Sequence, residues 1–115
     1  MNRITLALGV ALAALVAAGP ATARPSMTPT TVTVKMSEFK FVLSRKTVPH
    51  GKVTFKLVNK GKLKHDFAIG GKKSLLIKPG KTGALTVTLS AGKKAYKCTV
   101  AGHAAAGMKG KLTVT

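Results

Sequence analysis

The chain of 115 residues contains two acidic residues, one cysteine, one tyrosine and no tryptophan. Each shortage excludes a class of chemistry. Glu38 and Asp66 are too few to supply carboxylate acid/base catalysis, or the oxygen ligands that calcium and magnesium require. A lone cysteine, Cys98, cannot close an internal disulfide, hold an iron–sulfur cluster or bridge a two-copper centre. The scarcity of Trp and Tyr, with no interleaving of basic and aromatic residues, removes the stacking platforms of a nucleic-acid binder. That argument holds against the opposite pull of 20 Lys+Arg and a net charge of +18. Helical periodicity is also missing beyond the first 23 residues.

The N-terminus differs in kind from the rest. Met1-Asn2-Arg3 carries one positive charge, Ile4 to Ala18 is apolar almost throughout, and Gly19-Pro20 breaks the run. Ala21-Thr22-Ala23 fits a small-x-small cleavage site. This order predicts a cleavable secretory signal peptide over residues 1–23, with the mature chain periplasmic, at the cell surface or extracellular. The apolar run is too short for a comfortable membrane span. Residues 24–30 read as a flexible leader, and residues 31–115 as one domain without internal repeats. In an oxidising compartment an exposed free thiol is a liability, so Cys98 is expected to be buried or held by a bound group.

What is present is short alternating strands. Residues 31–36, 52–58 and 83–89 alternate polar and apolar with period two, and 39–43, 65–69, 94–98 and 111–114 extend the pattern. Residues 74–77 read as a further short strand. Turns are marked by Pro49-His50-Gly51, the Asn59–Lys62 stretch, Pro79-Gly80 and Ala91-Gly92. Short strands between Gly and Pro turns predict an all-β antiparallel sandwich or barrel, in which loops at one end can converge.

The segment Cys98-Thr99-Val100-Ala101-Gly102-His103-Ala104-Ala105-Ala106-Gly107-Met108 places thiolate, imidazole and thioether at intervals of five residues. With a second histidine, these are the donors of a blue-copper electron-transfer site. His65, entering an apolar strand, is the preferred partner, and His50, in its turn, reads as solvated. Structural zinc would favour four His or Cys ligands without Met. Gly102 and Gly107 permit sharp turns between the donors, and Ala101 and Ala104–Ala106 would form an apolar rim around His103.

The segments "KHDFAI" and "YKCTVAGHAAAGMKGKLTV" resemble the cupredoxins, the plastocyanin and azurin superfamily, with a Cys-x4-His-x4-Met spacing similar to that of rusticyanin. The upstream "MSEFKFVLSRKTVPHGKVTFKLVNKGKLKHDFAI" is similar to small bacterial cupredoxin-like domains. The resemblance implies a Greek-key β-sandwich holding one type 1 copper ion. His65, Cys98, His103 and Met108 would be its ligands, and the edge of His103 an electron port. Asp66 stands where many relatives carry Asn. It would accept a hydrogen bond from Thr99, and its charge would lower the reduction potential. The interval from His65 to Cys98, shorter than in larger cupredoxins, predicts a lost strand or flap and a more exposed site.

The expected function is one-electron transfer without catalysis of its own. The alternative is an extracytoplasmic copper carrier or buffer using the same ligands, with Met27, Met36 and His50 as extra soft sites. The positive charge would keep the protein monomeric and draw in an acidic redox partner, or anionic cell-wall or membrane polymers.

Overall fold

The computed structural model describes residues 29–115, so the expected signal peptide and residues 24–28 of the leader lie outside the described residues. Nine strands follow in order: β1 (Thr30–Ser37), β2 (Lys40–Leu43), β3 (Thr47–Val48), β4 (Gly51–Asn59), β5 (Ala68–Ile69), β6 (Lys72–Lys73), β7 (Thr82–Leu89), β8 (Gly92–Lys97) and β9 (Lys109–Val114). No helix occurs among the described residues.

Alternation decides which residues meet. β1 turns Val32, Val34 and Met36 inward, and β4 does the same with Val53, Phe55 and Leu57, all without exposed surface. These strands join β2 and β7 in a sheet of order β2-β1-β4-β7. The second sheet, of order β3-β9-β8-β5-β6, contributes Val48, Ile69, Leu112 and Val114 to the same core. Every lysine among the described residues is exposed except the half-buried Lys94. The charge therefore lies on the outer faces, where water solvates it.

The expectation of a purely antiparallel sandwich needs correction, because both sheets are mixed. β1 runs parallel to β4, from Thr30↔Val53 to Met36↔Asn59, and β3 runs parallel to β9. Two residues of β3 cross to the other sheet between β2 and β4, so the chain returns beside β1 in the same direction. Two expected strands are also shorter than the sequence implies. Of residues 65–69, only Ala68–Ile69 form a strand, and His65 makes an isolated bridge to Ile77. Ser74 to Leu76 are not in a strand, because Ser74 spends its hydroxyl on the Phe67 amide.

The few aromatic residues are concentrated. Phe67 packs against Phe55, Phe41 and Tyr96 with ring centroids 4.9, 5.2 and 5.4 Å away. This cluster lies between the two sheets, directly after His65 and Asp66 in the chain. It gives that segment a rigid base, since aromatic pairs add orientation to their burial.

Candidate metal centre

Cys98 follows β8 directly and Met108 precedes β9, so the hairpin between those strands carries three soft or borderline donors. The ladder continues one step past its last strand pair, Lys97↔Lys109, as the Cys98 amide donates to the Met108 carbonyl at 3.1 Å. Above that closure the loop braces itself. The His103 amide donates to Val100, those of Ala106 and Met108 to His103, and that of Gly107 to Ala104, at 3.0–3.1 Å. Gly102 and Gly107 take φ values of +81° and +118°, the left-handed conformations the turns require.

His65 arrives from the other side. Its amide and carbonyl pair with Ile77 at 3.1 and 2.8 Å. The preceding loop is tied by Asn59, which is fully buried. Asn59 Nδ2 donates to the carbonyls of Leu63 and Ile77, each at 2.9 Å, and its Oδ1 accepts from the Gly61 amide at 2.9 Å. The sequence reading missed Asn59, taking it only as the start of a turn. The signal available was its place at the inward-facing end of the alternating β4 segment.

The three donors meet. His65 Nδ1 lies 3.1 Å from His103 Nδ1, and Cys98 Sγ lies 4.0 and 3.6 Å from the two nitrogens. A point equidistant from all three is about 2.1 Å from each, matching metal–nitrogen and metal–sulfur bonds of about 2.0–2.3 Å. The donor chemistry and the spacing therefore both fit a transition-metal ion in a trigonal N2S set. Met108 is fully buried, with its backbone hydrogen-bonded to both Cys98 and His103. Burial pushes the Cys98 thiol above its ordinary pKa, which makes it an inert thiol until a metal displaces the proton.

The expected loss of cover is not seen. His65 and Met108 have no exposed surface, Cys98 has 1 % and His103 has 8 %. The shorter interval did not open the site, because the β1–β2 turn covers it. Phe39 stacks edge-on against the His103 ring at 5.1 Å, and Glu38 reaches His65. Of the alanines expected to rim His103, Ala101, Ala105 and Ala106 are exposed and Ala104 is half-buried, and the part-exposed Phe39 lies against the His103 ring.

Both carboxylates of the chain serve this end. Asp66 Oδ1 accepts from the Thr99 amide at 2.6 Å, and its Oδ2 accepts from the Thr99 hydroxyl, so the His65 and Cys98 segments are tied as expected. Glu38 Oε1 accepts from the amides of Lys62 and Leu63, both at 2.7 Å, and lies 3.3 Å from His65 Nε2. These amides, Leu63 foremost, hold its pKa down from 4.5 to about 2. The sequence reading gave Glu38 no role. The extra soft sites do not assemble with the cluster: Met36 is buried in the core, and the His50 Nδ1 is 2.9 Å from the Thr115 carbonyl, beyond the far end of β9. Met27 lies outside the described residues.

Comparison with known proteins agrees with this arrangement. Residues 16–115 match the family described as copper binding proteins, plastocyanin/azurin family. Among solved structures, auracyanin B is similar at 25 % identity and a TM-score of 0.68, covering 79 % of this chain and 93 % of its own. Dithionite-reduced auracyanin from Roseiflexus castenholzii aligns at 23 % identity and a TM-score of 0.67, over 76 % of this chain and 98 % of its own. An azurin from Methylomonas sp. strain J aligns at 16 % identity and a TM-score of 0.64, over 76 % of this chain and 99 % of its own. No curated protein matches the sequence at a significant level.

Proposed function

Because the chain belongs to the plastocyanin/azurin family of copper-binding proteins, we propose that it is a blue-copper one-electron carrier with His65, Cys98, His103 and Met108 as ligands. The observation that carries this reading is the buried triangle of His65 Nδ1, His103 Nδ1 and Cys98 Sγ, with edges of 3.1, 3.6 and 4.0 Å. Copper bound there supplies a Cu(I)/Cu(II) couple and nothing else is asked of it.

The residues do the remaining work. The self-braced 98–108 loop and the bridged, Asp66-tied His65 hold the donors in one geometry, so little rearranges when the charge changes. Burial keeps water away from the donors. His103 is the ligand nearest the surface, and its rim of small alanines and Phe39 lets a partner approach closely. Asp66, placed beside the ligands, favours the more positive oxidation state and so lowers the potential. Both carboxylates at the site are engaged in holding ligand segments, Glu38 on the Lys62 and Leu63 amides and His65, Asp66 on Thr99, so in this reading no substrate bond is made or broken and the protein acts as a carrier, not an enzyme.

The exposed lysines steer an acidic redox partner, with an on-rate that falls as salt rises. Like charge keeps the protein monomeric. Residues 1–23 direct export and are removed, 24–30 remain as a leader, and 31–115 form the copper domain. An intact mass of exported protein that still includes residues 1–23 would contradict the cleavage.

The test is a copper titration of the purified protein followed by visible absorption and electron paramagnetic resonance, beside Cys98→Ser. An intense thiolate-to-Cu(II) band and a narrow hyperfine splitting are expected, both absent from the variant. Colourless or weakly held copper would sink the reading. Challenge of the loaded protein with a chelator then separates the two roles. Copper retained through repeated redox cycles supports the electron carrier, whereas rapid surrender supports a copper carrier. The burial of all four donors favours retention.

A further inference from the structure

The β1–β2 turn contributes no donor, yet it touches both histidines. Phe39 lies edge-on to the His103 ring at 5.1 Å, and Glu38 Oε1 lies 3.3 Å from His65 Nε2. The chain places this turn 27 residues ahead of His65, and it belongs to the opposite sheet from the 98–108 hairpin.

The Glu38 contact has a direction. An ionised carboxylate only accepts hydrogen bonds, so the hydrogen between the two groups must be on His65 Nε2. A neutral imidazole with hydrogen on Nε2 presents a lone pair at Nδ1. That is the nitrogen facing His103 Nδ1 and Cys98 Sγ at 3.1 and 4.0 Å. The carboxylate is itself fixed. Oε1 also receives the Lys62 and Leu63 amides at 2.7 Å, and it sits so close over Gly61 that a Cβ there would lie 2.6 Å from it. The rotamer is therefore set by the loop that leads into His65, and the same oxygen sets the ring.

We infer that Glu38 is a positioning residue for the metal centre: it selects the Nε2–H tautomer of His65, aims Nδ1 at the ion and raises the basicity of that ligand. The inference rests on the copper reading for the identity of the ion. Carboxylate–histidine–metal arrangements of this kind fix ring orientation, and breaking them lowers metal affinity by about 10–100-fold. Here the carboxylate is one of only two in the chain. The other, Asp66, ties the backbone between ligand segments, so Glu38 alone contacts a ligand ring through its far nitrogen.

The experiment compares the wild type, Glu38→Gln and Glu38→Ala. In the copper-free protein, long-range nitrogen–proton NMR reports the His65 tautomer directly. Wild type and Glu38→Gln, which keeps an acceptor at Oε1, are expected to show Nε2–H, and Glu38→Ala a gain of Nδ1–H. In the loaded protein, Glu38→Ala should lose at least tenfold in copper affinity. Glu38→Gln should keep its affinity within a few-fold but show a raised potential, because the charge is gone and the hydrogen bond is not. A normal blue band with an unchanged His65 tautomer and an affinity within threefold in Glu38→Ala would overturn the inference and leave the copper reading standing. A wild type that forms no blue band, yet loses Nε2–H in Glu38→Ala, would sink the copper reading and leave the hold on His65 intact. If Glu38→Ala does not fold, Glu38→Gln still decides: a potential equal to wild type overturns the claim that the carboxylate tunes the ligand.

Discussion

The two sides of the donor cluster are built in opposite ways. On one side a single hairpin loop, residues 98–108, brings Cys98, His103 and Met108 and supports them with its own backbone hydrogen bonds. On the other, His65 stands alone among the donors. Its place depends on Glu38 from the β1–β2 turn, Asn59 from the end of β4, Ile77 from the stretch before β7 and the Asp66 link to Thr99. The first side is a local structure and the second is a tertiary one. They should fail differently when disturbed.

The sharpest way to break the tertiary side is Asn59→Ala. That change removes two donated hydrogen bonds and one accepted one made by a fully buried side chain, leaving the Leu63 carbonyl and the Gly61 amide without these partners and the Ile77 carbonyl with the His65 amide alone. A hydrogen bond lost costs about 1 kcal/mol, and more where the group is left dry, so a loss of about 2–3 kcal/mol is expected in denaturant unfolding. Copper affinity should fall with it, since the loop entering His65 loses its anchor. A variant within about 0.5 kcal/mol of wild type would mean that water or a shifted loop replaces all three bonds.

The local side is tested by Gly102→Ala. The site has open space for a Cβ, so the cost comes from the backbone alone, with φ at +81°. A loss of about 1–2 kcal/mol is expected. The change should alter the hyperfine splitting through His103 while the His65 ring resonances stay near wild type. If both histidines respond equally, the two sides are not independent, and the contrast between them fails.

This division also governs what could be read without the fold. The hairpin donors were legible because residue type, order and spacing all lie within one short segment, and the two glycines announce its turns. The Asp66–Thr99 tie was legible because each residue adjoins an expected ligand. Glu38 and Asn59 were not, because nothing in their sequence spacing marks a contact across 27 residues or a bond to Ile77. The parallel pairing of β1 and β4 was hidden for the same reason: alternation gives the face of a strand, not its neighbour or direction. The misjudged exposure followed from it. Counting residues between His65 and Cys98 suggested missing cover, while the cover comes from upstream of both.

The smallest expected effect is the pH dependence that Glu38 gives the tertiary side. Glu38 is held at about 2 against an ordinary value of 4.5, first by the Leu63 amide and then by its neighbours. The unfolded chain therefore binds the proton more readily than the folded one. The stability Glu38 contributes is complete above about pH 4.5 and is lost as pH falls toward about 2. Its side chain is partly open to water, so the contribution is modest and screened. Denaturant unfolding of the copper-free protein at steps from about pH 6 to about pH 2 should show wild type weakening through this window. Glu38→Gln should start less stable and weaken less, so that the two curves converge at the acid end. Repulsion among the lysines cannot mimic this, because their charge is already complete at neutral pH and is common to both proteins. Curves that run parallel throughout would mean that the amides of Lys62 and Leu63 do not hold Glu38 ionised, and the tertiary side of the site would then rest on Asn59, the Ile77 bridge and the Asp66 link to Thr99.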